Sequence, residues 1–225
     1  MKLDNYKKIV SRLTLRERVA DAIRDEIVHG RLTAGEKLSE PEIASRYGIS
    51  RTPVREAFRQ LSAEGFLSLM PRRGARVSSM TQKDVTEFYE LKSLLEGYAA
   101  RLATQNLQEK DIQKMEQLNN LMDRYHERGD LKKIAKIHGE FHNIFLEACG
   151  NEQLYLTIQQ LANKFQRFRI LLALSGKNPE IIVQHRDIIA AFRGKDAVRA
   201  EELVRANALL GKELMIRDVL HGMQK

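Results

Sequence analysis

Arginine and hydroxyl side chains are concentrated at the start of one short segment of this 225-residue chain. Val54, Ala57, Phe58 and Leu61 recur at helical spacing there, so they would face inward from a helix and leave the polar groups outside. Arginine can hold O6 and N7 of a guanine with two hydrogen bonds, and arginine and hydroxyl groups both bind phosphates. The segment therefore predicts recognition of DNA. Its candidate DNA-binding residues are Ser50, Arg51, Thr52, Arg55 and Arg59.

The preceding residues supply the start and stop signals of a helix-turn-helix. Ser39 can cap a first helix, with Glu42 as the returning half of a capping box, and Gly48 provides a left-handed stop. Ser50 can cap the second helix, in whose first turn Pro53 is tolerated. Two helices joined by a short turn that contains glycine are typical of a helix-turn-helix, whose second helix can enter a major groove.

A short wing is predicted directly after these helices. Alternating apolar residues after Gly65 indicate a strand, and a turn with three arginines leads to a second strand. A wing of this kind can lie along a minor groove or along the DNA backbone. The alternative for the whole region is a capped structural helix with a solvated basic face. The candidate DNA-binding residues of the turn are Arg72, Arg73 and Arg76.

The distribution of charge agrees with DNA binding by the first third of the chain. Residues 1–80 hold 16 Lys and Arg against 10 Asp and Glu, whereas residues 81–225 hold 22 against 20. The basic excess therefore coincides with the helix-turn-helix pattern, as binding to phosphates requires. The length of the chain allows two compact domains.

Several features of the sequence indicate an intracellular protein. Cys149 is the only cysteine, so no disulfide can form within the chain, and we expect it to be a small buried residue. No apolar run approaches the roughly 18 residues of a membrane span. The first residues do not have the pattern of a secretory signal. We expect a soluble, cytoplasmic protein that has no membrane partner.

From Thr81 onward, apolar residues recur at helical spacing almost throughout. Turn signals separate six amphipathic helices, which are predicted to start at 81, span 109–128, start at 130, and span 152–174, 180–193 and 196–220. Six such helices with short turns predict a helical bundle around a single core. The predicted fold class is mainly α, with a small β wing. The predicted parts are a flexible N-terminal arm (1–11), a winged helix-turn-helix (12–78) and an all-helical effector-binding and dimerisation domain (81–222).

Both parts of the chain resemble one known family. The run LSEPEIASRYGISRTPVREAFRQLSAEGFL is similar to the winged helix-turn-helix of GntR-type bacterial transcription regulators. The resemblance implies that Arg51 and Arg55 contact operator DNA, and that Pro41 replaces an arginine that usually joins them. The stretches FYELKSLLEGYAARLAT, HGEFHNIFLEACGN and VQHRDIIAAFRGKDAVRAEELVRAN resemble the all-helical effector-binding domain of the FadR branch, often called FCD.

Histidines in the helical part are candidate metal ligands. His138 and His142 are four residues apart, so both project from one face of a helix, and His185 lies within a later helix. The resemblance implies a divalent-metal site at these histidines and Asn207, with His138 in place of an aspartate and Asn207 in place of a histidine. Three imidazoles favour zinc, with nickel or manganese as alternatives. The other interpretation is a polar core cavity in which the histidines hydrogen-bond to each other and to water.

Further polar residues on the predicted core-lining helices are candidates for binding an effector. The resemblance implies that basic side chains there bind a carboxylate, although each arginine can instead form a surface salt bridge. Glu96 falls on the inner stripe of its helix, where it can orient a ligating histidine. The candidate effector-binding residues are Arg101, Arg167, Arg169 and Glu96.

Motifs for catalysis are missing from the sequence. The segment from His138 to His142 is not H-E-x-x-H, because Glu140 follows His138 by two residues and is predicted to point away from the shared histidine face. The sequence contains no Gly-rich phosphate loop and no G-x-S-x-G. We therefore do not expect an enzyme.

Together these features predict a homodimeric, bacterial-type transcription regulator. We expect it to bind an inverted-repeat operator, with repression as the default, under the control of a small carboxylate-bearing metabolite bound in the helical domain through a metal ion. The alternative is a metal-responsive regulator, or a helical metal-binding protein, that has no metabolite effector.

Overall fold

The computed structural model describes residues 14–176 and 179–220 of the chain. Contacts divide the chain into two compact units, Met1–Ser79 and Met80–Lys225. The predicted flexible arm, residues 1–11, lies outside the described residues. None of the helices in the described ranges combines the length and the apolar character that a membrane crossing needs.

The first unit contains three helices and a small sheet. Its helices are α1 (Leu15–Val28), α2 (Glu40–Tyr47) and α3 (Arg51–Ala63), and its strands are β1 (Lys37–Leu38), β2 (Leu67–Met70) and β3 (Gly74–Val77). The strands pair antiparallel in the order β1-β3-β2. Helix α1 packs against α3, and the ion pair between Arg24 and Glu64 (2.7 Å) joins α1 to the end of α3. The predicted winged helix-turn-helix is confirmed.

The helix signals in this unit are only partly realised as predicted. The Ser39 hydroxyl accepts a hydrogen bond from the backbone N–H of Glu42 (3.3 Å). The carboxylate of Glu42 in turn accepts from that hydroxyl, and not from the backbone N–H of Ser39 as a full capping box requires. Gly48 ends α2 with a left-handed φ of 63°, as predicted. Ser50 stands at the cap position of α3, yet its hydroxyl makes no capping hydrogen bond in the described chain. The Ser50 hydroxyl, at the start of α3, therefore makes no capping contact with the helix.

The wing differs from the sequence prediction in two respects. Strand β1 was not predicted, because two residues are too few to show an alternating pattern. The turn of the wing holds Arg72, which adopts a positive φ of 60°, and Arg73, whose N–H donates to Met70 O (3.0 Å). Arg76 was predicted in the turn but lies within β3, opposite Lys37 and Ser68. The cross-strand pairing that continues to Gly74 shortens the turn and excludes Arg76 from it.

The second unit is entirely helical in the part that the structure describes, which confirms the predicted bundle. Its helices are α4 (Gln82–Ala103), α5 (Glu109–Glu127), α6 (Leu131–Ala148), α7 (Glu152–Lys164), α8 (Gln166–Leu174), α9 (Pro179–Arg193) and α10 (Ala197–Leu214), followed by a π-helical turn (Met215–Leu220). The single helix predicted over 152–174 is wrong, because the backbone breaks at Phe165. The helix predicted to reach 220 is α-helical only to Leu214.

Helix α4 is the central element of this bundle. A capping box between Thr81 and Asp84 fixes its start, which agrees with the start predicted at residue 81. It packs along α10 over much of its length and also contacts α6 and α7. The buried residues of the bundle form one core, to which α6 contributes Phe141 and Phe145. The inner face of α4 therefore borders several helices and is the natural place for a shared polar site.

The close approach of β1 to the wing yields a stability prediction. Gly74 has a φ of +85°, and a Cβ there would lie 2.2 Å from Leu38 O. Gly35 has the same φ of +85° but open space around it. Gly35→Ala should cost about 1–2 kcal/mol of unfolding free energy through backbone strain alone. Gly74→Ala should cost on the order of 3 kcal/mol or more, because β1 must also move.

Denaturant unfolding of both variants and the native chain measures this difference. Equal losses of stability for Gly35→Ala and Gly74→Ala would contradict the account of the wing.

Candidate functional site

A basic groove lies between α3 and the wing of the first unit. It has a volume of about 760 Å³, and Glu40 is the one carboxylate among the residues that line it. Arginines from α3 form one wall, and arginines from the turn of the wing form the other. The arginines that line this basic groove are Arg51, Arg55, Arg59, Arg72 and Arg73. A concentration of exposed guanidinium groups on one face provides the electrostatic attraction that binding to DNA phosphates requires.

The remaining candidate DNA-binding residues lie beside the basic groove rather than in it. Ser50 and Thr52 are exposed at the start of α3, and Arg76 is exposed on β3. An exposed position at a helix start or on a wing strand is compatible with contact to phosphates. Their roles stay predictions.

Arg55 is held by Glu40 across the helix-turn-helix. Its Nε donates to Oε1 of Glu40 (2.9 Å), and its Nη2 donates to Oε2 (2.7 Å). The hydrogen bond from Arg55 outweighs partial burial and lowers the pKa of Glu40, with further lowering by the charges of Arg55, Arg51 and Arg59. The sequence did not predict this ion pair, because its partners are 15 residues apart on two helices.

Three imidazoles meet inside the second unit. His138 and His142 project from α6 and His185 from α9, with ring centroids 4.5 Å (138–142), 5.1 Å (138–185) and 5.5 Å (142–185) apart. One ring nitrogen of each lies within 4.8 Å of the others. His142 and His185 are buried, and His138 is half-buried. The structure therefore brings together the three histidines that the sequence singled out.

Hydrogen bonds fix the tautomers of two of these rings. Nδ1 of His142 lies 3.0 Å from a carboxylate oxygen of Glu96, and Nδ1 of His185 lies 3.1 Å from the side-chain oxygen of Asn119. Both oxygens accept hydrogen bonds, so each Nδ1 carries the proton and each Nε2 keeps its lone pair. Both Nε2 atoms are buried and have no hydrogen-bond partner in the described chain. Buried lone pairs that lack a proton donor suit a metal ion.

The electrostatics of the cluster keep the rings neutral. Burial lowers the pKa of His142 and, together with the charges of neighbouring groups, lowers those of His138 and His185 well below their usual value. Burial alone would raise the pKa of Glu96, but the charge of Lys92 and the hydrogen bonds from Lys92 and His142 bring it down to about 2. The site therefore holds an ionised carboxylate between an ammonium group and a neutral imidazole. Neutral imidazole is the form that binds metals.

The cluster borders a cavity of about 640 Å³, which is large enough for a small metabolite. The histidines, Glu96 and Lys92 are among the polar residues that line it, and Phe88, Ile134 and Phe165 are among the apolar ones. Asn207 also lines the cavity, but its amide nitrogen donates to Ile181 O (3.3 Å) and to the side chain of Gln184 (3.1 Å). Its role as a fourth metal ligand stays a prediction.

Arg169 is the predicted arginine that reaches this cavity. Its guanidinium lies against α6 at Gly139, where a Cβ would be 2.7 Å from Nη1. Its Nε is buried and has no hydrogen-bond partner in the described part of the chain. Gly139 was not predicted as a site residue, although a glycine within an amphipathic helix is a signal of close approach. Asn119 was also missed, and its only signal is a polar residue on the apolar stripe of α5.

The structure does not bring the other two predicted arginines to the cavity. Arg101 is exposed and pairs with Glu201 on α10 (3.3 Å), which is the salt-bridge alternative. Arg167 is buried, with its guanidinium 5.4 Å from the ring centre of Phe168. Neither side chain lines the cavity, because each projects from a different side of its helix than the cavity-lining residues. Their role as effector-binding residues stays a prediction.

Comparison with known proteins agrees with this arrangement. The family model "Bacterial regulatory proteins, gntR family" matches residues 15–77, and the FCD domain model matches residues 87–208. The chain is 34% identical over 201 residues to the "Probable D-xylose utilization operon transcriptional repressor" of Paenarthrobacter nicotinovorans, which covers 88% of each chain. It is 28% identical to the "HTH-type transcriptional repressor RspR" of Escherichia coli K12 over 180 residues, covering 80% of this chain and 79% of that one. The solved structure of E. coli McbR/YncC shares the fold, with a TM-score of 0.68, 22% identity and coverage of 91% of this chain and 98% of that one.

A winged helix-turn-helix joined in one chain to a helical unit with a cavity is typical of a DNA-binding regulator. The chain belongs to the GntR family of bacterial transcription regulators, and its second unit contains an FCD domain. Family membership also shows that the protein is a regulator and not an enzyme. Glu140 is exposed, pairs with Lys136 (3.7 Å) and also borders the cavity.

The buried pair of Lys92 and Glu96 yields a second prediction. These side chains are 18% and 5% exposed, whereas Lys83 and Glu87, at the same spacing on the same helix, are 81% and 64% exposed. Glu96→Gln should lower the free energy of unfolding by about 3 kcal/mol, because it leaves an ammonium group without its charge partner. Glu87→Gln should lower it by less than about 0.5 kcal/mol.

Urea unfolding of the metal-free protein, followed by helical circular dichroism, measures both variants. If the two substitutions cost the same, Glu96 does not hold the polar network of the bundle together.

Proposed function

We propose that the chain represses transcription by binding an inverted-repeat operator as a homodimer, and that a small carboxylate-bearing metabolite, held through a metal ion, controls this binding. The observation that carries the proposal is the cluster of His138, His142 and His185 beside a cavity, in a chain that also has a basic groove. Repression is supported by the two relatives described above, whose names both say repressor.

The basic groove supports insertion of α3 into a major groove. Arg51 and Arg55 lie in the first turns of α3, where side chains reach base edges when a recognition helix enters DNA. Arg72 and Arg73 on the wing then contact the backbone or the minor groove beside it. Arg59, Ser50, Thr52 and Arg76 are assigned to phosphates. Pro41 offers no charged group at the position where the family resemblance implies an arginine.

An exposed apolar stripe on α4 supports a homodimer. Leu91, Leu94 and Tyr98 are 45%, 53% and 49% exposed and share one face of the helix. Lys92 and Glu96 lie on the opposite face, at the cavity. A two-fold axis lets the same stripe of a second copy cover this one, and two copies match an inverted-repeat operator. In this proposal α4 joins the cavity to the interface between the two chains.

The residues present fit a divalent metal ion. His138, His142 and His185 supply three nitrogen donors, and the unpartnered Nε2 atoms of His142 and His185 are the donors that the buried site leaves unsatisfied. Glu96 and Asn119 orient the two buried rings. Three neutral imidazoles favour zinc, with nickel or manganese as alternatives. A bound ion supplies a positive centre that can take a carboxylate as a further ligand.

Two cationic side chains of the cavity support an anionic effector. The buried guanidinium of Arg169 and the ammonium group of Lys92 both border the cavity near the histidines. Glu96 already pairs with Lys92, so Arg169 is the cation with the larger capacity for a new partner. The apolar lining leaves room for a nonpolar body on the metabolite. By linkage, an effector that weakens operator binding must itself bind more weakly to the DNA-bound protein.

A second candidate function is a metal-responsive regulator without a metabolite. The same three histidines favour it, because metal binding alone would tie α6 to α9 and order the bundle. The two functions separate in one experiment. If zinc alone changes DNA affinity and a panel of small carboxylates has no effect on the zinc-loaded protein, the metal is the signal.

Substitution of Arg51 tests the DNA interface. Arg51→Ala should weaken binding to a DNA sequence selected from random duplexes by about tenfold or more, because a base-reading arginine contributes about 1–3 kcal/mol. Arg18→Ala removes the same charge from an exposed position on α1 and should weaken binding far less. Fluorescence anisotropy measures the affinities, and sedimentation should show two chains. If Arg51→Ala and Arg18→Ala weaken binding equally, α3 is not the recognition helix. If sedimentation shows a single chain, the proposed dimer is wrong.

Removal of single histidines tests the metal site. The native protein should bind about one zinc per chain, because three imidazoles converge at one point in each chain. His142→Ala and His185→Ala should each lose most of that zinc, whereas His29→Ala, an exposed histidine of the first unit, should retain it. Elemental analysis after dialysis against zinc measures the stoichiometry. The site is refuted if His142→Ala and His185→Ala bind as much zinc as His29→Ala.

A further inference from the structure

The ion pair of Arg55 with Glu40 leaves a defined part of the guanidinium exposed. Nε donates to Oε1 (2.9 Å) and Nη2 donates to Oε2 (2.7 Å), so the carboxylate takes the edge formed by Nε and Nη2. The neighbouring edge, formed by Nη1 and the second hydrogen of Nη2, stays available. A guanidinium has five N–H groups in a rigid fork, so fixing one edge fixes the direction of the other.

The exposure of the two side chains shows which group faces outward. The Glu40 side chain is 22% exposed, whereas that of Arg55 is 56% exposed. Glu40 is the first residue of α2, and Pro41 restricts the backbone directly after it. The carboxylate is therefore anchored to the fold behind the guanidinium, and Arg55 stands in front of it. Arg51 and Arg59 border the same groove without a comparable anchor in the described residues.

The available edge of Arg55 is complementary to the major-groove edge of one base. Its two parallel donors match the O6 and N7 acceptors of guanine in the major groove, whereas adenine presents a donor beside its N7. A guanidinium that only gripped phosphate would need no fixed direction, because phosphate accepts hydrogen bonds from many angles.

We propose that Glu40 is a positioning residue of the DNA reader, which holds Arg55 so that its outer edge selects one guanine in each operator half-site. This inference rests on the proposed function of α3 as the recognition helix. Glu40 lies in a groove that is otherwise basic, so its carboxylate reduces the general attraction for DNA. In return for this weaker general attraction, the reader gains specificity for one base.

In vitro selection from randomised duplex DNA, performed with the full chain, tests the proposal. The variants are Glu40→Gln, Arg55→Ala and the double substitution. Glu42→Gln is the matched control, because Glu42 is an exposed carboxylate on the same helix whose ion-pair partner, Arg46, is on α2 itself (3.9 Å). Circular dichroism confirms that each variant is folded, and affinity for an unselected duplex is measured beside the selection.

The native chain and Glu42→Gln should enrich a guanine at one position of each half-site. Glu40→Gln should reduce that preference by about tenfold, as loss of a bidentate base contact does, while its affinity for the unselected duplex stays the same or rises. In the Arg55→Ala background, Glu40→Gln should change nothing further at that position.

If the sequences selected by Glu40→Gln keep the full guanine preference, the proposal for Glu40 is wrong, but α3 can still be the recognition helix. An unchanged profile for Arg55→Ala instead shows that Arg55 reads no base. A native chain that enriches no sequence overturns the proposed reader as a whole.

Discussion

The carboxylate of Glu96 is the group on which the polar interior of the helical unit depends. It accepts hydrogen bonds from Lys92 and from Nδ1 of His142, and its side chain is only 5% exposed. A buried ammonium group without a counter-charge costs several kcal/mol, so the carboxylate is required for stability. The same contact fixes the tautomer of His142 and turns its lone pair toward the other histidines. The Glu96 side chain therefore both stabilises the buried polar groups and orients His142 as a potential metal ligand.

Helix α4 places this carboxylate between the cavity and a surface that a second copy can cover. Its inner face carries Glu96, its outer face carries Leu94, and its start follows β3 of the wing by only four residues. A change in the cavity that shifts α4 would therefore act on the proposed dimer interface and on the segment that leads to the helix-turn-helix. Packed helices move as units, so a small change at a buried site can be transmitted in this way.

The sequence predicts the helix-turn-helix, the wing and the helical bundle because their signals are local. Caps, glycine stops and apolar periodicity act over a few residues, and they place α3 and α4 correctly. The break at Phe165 has no comparable signal, since no glycine or proline marks it. The contacts that organise the sites connect residues that are distant in sequence, such as Asn119 and His185, which are 66 positions apart. Periodicity can place each of them on an inner face, but only the packing of the helices decides which ones meet.

The central claim is that the three histidines form one metal centre beside the cavity. Anomalous scattering at the zinc edge, measured on crystals of the zinc-loaded protein, tests it most directly. The account predicts one strong peak per chain at about 2.0–2.1 Å from Nε2 of both His142 and His185, within coordination distance of His138. A peak at another place in the chain, or no peak at the histidines despite bound zinc, would contradict it.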